Sequence, residues 1–180
     1  LIEAIKILKD ENVDIHLSMY NAIHNDPISK DYSDKILKTI NALELTRTIK
    51  TIFDFQSDSE TLINLSKADL LIFPYQTTKE SASGAIRQAI STRVPVLVTP
   101  LSIFDDVLDV VSFLPGFSPQ EIATGIKEIL KNESFLSVQS TQKADSWRKQ
   151  HRFSYLANRL QDLIRGLEIN TRASHIDFVG

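Results

Sequence analysis

The residues best placed to do chemistry are Glu80-Ser-Ala-Ser-Gly-Ala-Ile-Arg-Gln88. A carboxylate, Glu80, stands just ahead of four small residues, Ser81, Ala82, Ser83 and Gly84. Apolar residues then fall at Ala85, Ile86, Ala89 and Ile90, the spacing of a helix with one buried face. The start of such a helix presents free backbone N–H groups and the positive end of the helix dipole, which suit a phosphate. Gly84 and the small side chains at 81 to 83 let phosphate oxygens approach the backbone closely. Gln88 lies one turn beyond Gly84 on the same side of the helix and could hydrogen-bond a ribose. Glu80 could accept hydrogen bonds from sugar hydroxyls. The plainer reading is a capped helix start, with Ser81 or Ser83 as the cap and Glu80 complementing the dipole. From these residues alone the plainer reading leads, because small polar residues open many helices.

The elements that would position this stretch are an apolar run on each side. Asp69-Leu-Leu-Ile-Phe-Pro-Tyr75 reads as a buried strand, and Gln76 to Glu80 as a polar loop. Ser81 to Ser91 reads as the helix, and Val94-Pro-Val-Leu-Val-Thr99 as a second strand. Strand, helix and strand in that order imply parallel strands with a right-handed crossover. Ligands in such sheets sit beyond the carboxyl ends of the strands, here the rim from Tyr75 to Ser83.

The same alternation runs along the chain. Helices are expected over Leu1 to Lys9, Asp31 to Leu45 and from a Ser57 or Ser59 cap to about Lys67. Strands are expected over Val13 to Tyr20, Thr48 to Phe55 and Val110 to Leu114. Asn21 to Lys30 reads as a loop, with Asn25, Asp26 and Pro27 as turn formers. Leu101 to Asp109 reads as a loop or short helix. Ser118-Pro-Gln-Glu121 is a strong helix start, with Ser as cap and Pro at the first position; that helix should run to about Asn132. A long helical region should span about Val138 to Leu167. The fold class is α/β: a Rossmann-like parallel sheet with helices on both faces and long C-terminal helices. Residues 1–167 would form the domain and 168–180 a loose tail.

Composition sets the bounds. The chain has 180 residues, with 42 % hydrophobic and 24 % charged, which suits one folded domain. A net charge of -3 gives no sign of nucleic-acid binding. There are no cysteines, which excludes a disulfide framework and thiolate metal sites and fits a reducing, cytoplasmic setting. No apolar run is long enough to span a membrane. His16, His24, His151 and His175 lack ligand spacing, so no metal site is expected. The chain opens directly on an amphipathic helix without Met, so an upstream strand is expected to precede Leu1.

With its surroundings, the Glu80 stretch resembles the C-terminal, nucleotide-sugar-binding domain of retaining GT-B glycosyltransferases of the group-1, or family-4, type. The matching residues are Phe73-Pro74 at a strand end, Glu80 as the first of two acids, and Arg93-Val-Pro-Val-Leu-Val98 as the following strand. Thr61 to Leu70, Leu1 to Lys9 and Glu121 to Leu130 also look like elements of that domain. The resemblance covers residues 1 to about 132. It implies transfer of a hexosyl group from a nucleotide-diphosphate sugar, in polysaccharide or glycoconjugate synthesis, with no metal or other cofactor. It implies that Glu80 holds the donor sugar, and that Ser81, Ala82, Ser83, Gly84 and Gln88 bind the donor. The acceptor would bind to an N-terminal domain of the same protein, so this chain alone is expected to be inactive.

Three departures from the family pattern stand out. Gln88 replaces the second acid, Ser81-Ala82-Ser83 replaces Gly-Phe-Gly, and Arg87 stands where an apolar residue is usual. The family's basic pair for the diphosphate would precede Leu1. These departures keep a rival open, a non-catalytic scaffold of the same fold. An unrelated doubly wound domain of the flavodoxin or response-regulator type ranks lower, because Val13 to Tyr20 ends without a phosphoacceptor aspartate. Phe53 and Phe55 could wall a nucleobase pocket, though strand-end aromatics are more often core. Asp105 or Asp106 could approach the donor or form a solvated turn. Lys143, Arg148, Lys149, Arg152, Arg159 and Arg165 make the last helices basic; a solvated face is favoured over a peripheral contact at the membrane face.

Overall fold

The computed structural model of the chain describes residues 1–24, 26–77, 82–131 and 142–173. They belong to two compact units, Leu1–Ser140 and Thr141–Gly180.

In the first unit, helices and short parallel strands alternate. Helix α1 (Ile2–Asp10) buries Ala4, Ile5 and Leu8, the one-sided spacing expected from its sequence. Strand β1 (Leu17–Tyr20) follows, then α2 (Pro27–Ala42), β2 (Ile49–Ile52), α3 (Asp58–Leu65), β3 (Leu71–Phe73), α4 (Gly84–Ser91) and β4 (Val96–Val98). A 3-10 helix (Ser102–Val110), β5 (Ser112–Phe113) and α5 (Pro119–Lys131) complete the order. β1 pairs in parallel with β2, Leu17 opposite Ile49 through Tyr20 opposite Ile52. β4 lies between β3 and β5, parallel to both, with Leu71 opposite Val96 and Leu97 opposite Ser112. Parallel neighbours need a crossover, and α2 and α4 supply it.

The core joins α1, α2 and α5 to the strands. Ile5, Leu8, Leu45, Leu97, Ile122 and Ile126 are all essentially buried. Each contributes about 1.5–3 kcal/mol by leaving water. Lys127 pairs with Glu11, linking α5 to the end of α1 on the surface.

Helix starts follow local chemistry. Ser57 and Glu60 form a reciprocal capping box at α3. At α5 the Ser118 N–H and hydroxyl donate to Glu121 Oε2 at 2.9 and 2.6 Å, and the Glu121 N–H donates back to Ser118 Oγ at 3.2 Å. α2 corrects the expected start at Asp31. Asp26 accepts from the Ser29 N–H at 2.9 Å and Pro27 takes the first helical position, so a turn-forming pair opens a helix. Asn25 lies outside the described residues.

Helix ends use left-handed backbone without glycine. Asn12, Glu44 and Arg93 have φ of 58°, 57° and 69°. Each stands just past a helix cap, after α1, α2 and α4 respectively. At α2 the Leu45 N–H reaches Ile40 O at 2.9 Å and the Glu44 N–H reaches Asn41 O at 3.0 Å, a Schellman closure. That closure ends α2 at Ala42 rather than at the expected Leu45.

The second unit contains α6 (Gln142–Gln150) and α7 (Phe153–Ala173). The long helical region expected from about Val138 is these two helices, separated by a turn at His151 and Arg152; its first residues, 138–141, lie outside the described ones. His151 stacks on Trp147, ring centres 4.0 Å apart. Arg148 donates to Asp145 at 2.9 Å, while Lys149, Arg152, Arg159 and Arg165 are exposed. The side chain of Lys143 lies outside those described. No helix among the described residues is long and apolar enough to cross a membrane.

Candidate functional site

The rim beyond β3 and β4 is built on Thr99, which is fully buried just past β4. Its N–H donates to Phe73 O at 3.3 Å, and its hydroxyl donates to Tyr75 O at 2.7 Å. These bonds hold the chain past Pro74, where proline supplies no N–H to a ladder. The Tyr75 ring sits 5.5 Å from Phe104 and 6.1 Å from Phe73, the latter edge-on. Its hydroxyl therefore points from an aromatic base toward the next helix.

That hydroxyl meets Ser83. The two side-chain oxygens are 3.3 Å apart, and Ser83 is only 3 % exposed. Ser83 is the N-cap residue of α4 in extended conformation, but its side chain makes no cap hydrogen bond. The N-termini of α2, α3 and α5 each receive a side-chain oxygen from their own cap, and α4 does not. Among the described residues, no side chain takes up its first-turn N–H groups. Ala82, Gly84 and Ala85 are exposed. A Cβ built at Gly84 would meet nothing within 4 Å. Among the described residues, the space over Gly84 is open.

Two side chains of α4 are anchored elsewhere. Arg87 donates to Ser83 O at 3.2 Å and pairs with Asp106 of the 3-10 helix. That pair occupies both Arg87, a departure from the family pattern, and one of the two candidate aspartates. Both partners are more than a third exposed, so the pair fixes geometry more than it adds stability. Gln88 donates through Nε2 to Asp58 Oδ1 at 3.0 Å, which ties α4 to the first residue of α3. Its carbonyl oxygen keeps acceptor capacity.

Of the residues expected at the site, Ala82, Ser83, Gly84 and Gln88 lie together at the start and first turns of α4. Glu80 and Ser81 lie outside the described residues. Phe53 is partly buried against the core, whereas Phe55 is 88 % exposed. Among the described residues no cluster of three or more His, Asp or Glu side chains could hold a metal ion. Sequence reasoning put Tyr75 on the rim but missed its bond to Ser83. It also missed Thr99 and Asp58. An apolar run ending in Tyr, with a Thr ending the next, is the one signal that could have paired Tyr75 with Thr99.

By sequence, the chain matches no protein-family profile and no curated protein. Its three-dimensional structure is similar to several solved ones. Sucrose-phosphate synthase from Thermosynechococcus elongatus superposes with a TM-score of 0.73 at 13 % identity, over 94 % of this chain and 42 % of that one. The C-terminal domain of LpcC, a group-1 glycosyl transferase family protein from Francisella tularensis, gives 0.66 at 15 %, over 84 % and 77 %. HepE from Anabaena in complex with UDP gives 0.65 at 14 %, over 92 % and 52 %. The chain thus spans about half or less of the synthase and of HepE. What is shared at these identities is the fold. The chain has the Rossmann-like α/β architecture of one half of a GT-B glycosyltransferase.

Proposed function

We propose that this chain is the donor-binding, C-terminal half of a retaining glycosyltransferase that takes a nucleotide-diphosphate sugar. The observation that carries the reading is the start of α4, uncapped by Ser83 and open above Gly84. A diphosphate seated there would accept hydrogen bonds from the first-turn amides and lie at the positive end of the helix dipole. HepE, of the same fold, has been solved with UDP and with UDP-glucose, which supports this class of ligand. Glu80 would hold the donor sugar by its hydroxyls, an orienting role. Ser81 would join Ala82, Ser83 and Gly84 along the diphosphate, and the free oxygen of Gln88 would accept from a ribose hydroxyl.

In the reaction, the bond from the anomeric carbon to the phosphate oxygen breaks, and its electron pair leaves with the diphosphate. The sugar passes through an oxocarbenium-like state. Amides at the α4 start stabilise the departing charge. The acceptor hydroxyl bonds to the anomeric carbon on the face that the diphosphate left, and its proton is released. The acceptor is held by an N-terminal domain of the same protein, so the chain alone turns over no donor. The reading calls for no metal. It places the protein in the cytoplasm, in polysaccharide or glycoconjugate synthesis.

One observation favours a second reading, a non-catalytic scaffold: the Gln88 amide is already engaged by Asp58. Titration calorimetry with UDP and with GDP separates the two. The transferase reading expects saturable heat with one of them. It also expects Gly84→Glu to weaken that binding at least tenfold, since a carboxylate then competes for the same amides. Stability should hold or rise by about 0.3–1 kcal/mol, because an acid at the first helical position suits the dipole. No saturable heat with either nucleotide would leave the scaffold reading in its place.

A further inference from the structure

Helices α3 and α4 each start beyond the carboxyl end of the strand before them, β2 and β3. Ligands of parallel α/β sheets sit at such ends. The two helices meet through Gln88 and Asp58, with Gln88 Nε2 donating to Asp58 Oδ1 at 3.0 Å. Asp58 is the first residue of α3 and is exposed, while Ser57 and Glu60 form the capping box of that helix between them. Gln88 is half-buried and lies one turn beyond Gly84. Helical side chains lean toward the N-terminus of their helix, so the Gln88 amide lies beside the Gly84 turn. There a Cβ would meet nothing within 4 Å.

The chemistry of the pair fixes its orientation. A carboxylate only accepts hydrogen bonds, so the Gln88 nitrogen is the atom that faces Asp58. Its oxygen, Oε1, is thereby turned away from Asp58 Oδ1. The bond uses one oxygen of Asp58, and a carboxylate offers about four lone-pair sites, so acceptor capacity remains. Two acceptors stand side by side, one neutral and one charged, bridged by a single N–H. A vicinal diol is the natural complement, because each of its hydroxyls donates one hydrogen bond. A glutamine without that neighbour would offer only a neutral oxygen on an amide free to turn. Hydrogen bonds to a charged acceptor are roughly twice as strong as neutral ones. The charge that Gln88 lacks, relative to the acid it replaces, is thus present one hydrogen bond away.

We infer that Asp58 and Gln88 together read the ribose of the donor nucleotide. Asp58 sets the Gln88 amide and takes one hydroxyl of the 2′,3′-diol itself; Gln88 Oε1 takes the other. The inference rests on the donor-site reading and deepens it: the donor is a ribonucleotide sugar, and deoxyribonucleotide sugars are rejected. A nucleotide lacking either hydroxyl displaces water from both acceptors and leaves one of them unpaired. The engagement of the Gln88 amide by Asp58 then belongs to the site and is no sign of its loss.

The test is titration calorimetry with UDP and GDP and with their 2′-deoxy and 3′-deoxy forms. The parent is expected to bind one ribonucleotide at least tenfold tighter than either of its deoxy forms. Asp58→Ala is expected to abolish the preference against one deoxy form and keep the other, which names the hydroxyl that Asp58 holds. Asp58→Asn with Gln88→Glu, which exchanges the acid and the amide, is expected to restore the lost preference. Equal binding of the parent to the ribonucleotide and both deoxy forms overturns the inference and leaves the donor reading standing. So does an Asp58→Ala variant that melts lower and binds all three forms equally less well, because Asp58 would then be only a tie between helices. No saturable heat with UDP or GDP overturns both.

Discussion

The hydroxyl of Ser83 lies 3.3 Å from that of Tyr75, although Ser83 is the residue positioned to cap α4. Tyr75 thereby keeps the cap away from the helix amides. Replacing Tyr75 by Phe frees the serine hydroxyl to turn toward the N–H groups of Ala85 and Ile86. A serine cap is worth about 1 kcal/mol, which corresponds to roughly fivefold in binding. Tyr75→Phe should therefore weaken UDP or GDP binding by about that factor while leaving the melting temperature nearly unchanged. Calorimetry on the variant decides it, and affinity equal to or tighter than the parent's would refute the competition.

Much of the fold was legible because its signals are local. The capping boxes at Ser57–Glu60 and Ser118–Glu121 join residues only three positions apart, so the sequence displays both partners. The start of α2 was misread for the opposite reason. Asp26-Pro27 is chemically a turn and a helix start, and only the Asp26 bond to the Ser29 N–H tells them apart. The site was legible as a helix start but not as an arrangement. Gln88 to Asp58 and Arg87 to Asp106 join residues 30 and 19 positions apart, set by how α4 packs against its neighbours. No periodicity carries that information. Nor could any pattern show that, among the described residues, β1 and β3 are each paired on one side alone, since a strand reads the same with one neighbour or two.

Glu44 ends α2 in left-handed backbone, is exposed, and stands where glycine is the usual choice. An ordinary residue pays about 1–2 kcal/mol for that conformation, and glycine gives back roughly 0.4–1 kcal/mol of it through a freer unfolded chain. Glu44→Gly should therefore stabilise the protein by about 0.5–1 kcal/mol. Asn12 closes α1 in the same conformation, with the Val13 N–H donating to Leu8 O at 2.9 Å. Asparagine tolerates it better, so Asn12→Gly should gain less. Urea unfolding of both variants tests the ordering, and a larger gain at position 12 would contradict it.

Acid should loosen the helix starts before it touches the core. Glu60 and Glu121 are held below the ordinary carboxyl value of 4.5, first by the serine hydroxyls that donate to them and then by the serine N–H groups. Asp26 is likewise held below 3.8, mainly by the Ser29 N–H. In each case the folded chain binds its proton less readily than the unfolded chain. The stabilisation is therefore fully present above the unfolded value and is lost as pH falls through the lowered folded one. The melting temperature should be insensitive to these groups above pH 4.5 and should decline below it. Glu60→Gln with Glu121→Gln removes the titrating groups while keeping an amide oxygen that can still accept from serine. The double variant should melt lower than the parent at neutral pH and lose less on acidification, so that the two curves converge as pH falls through the lowered folded values. Parallel curves over that range would mean that other carboxylates set the acid limit.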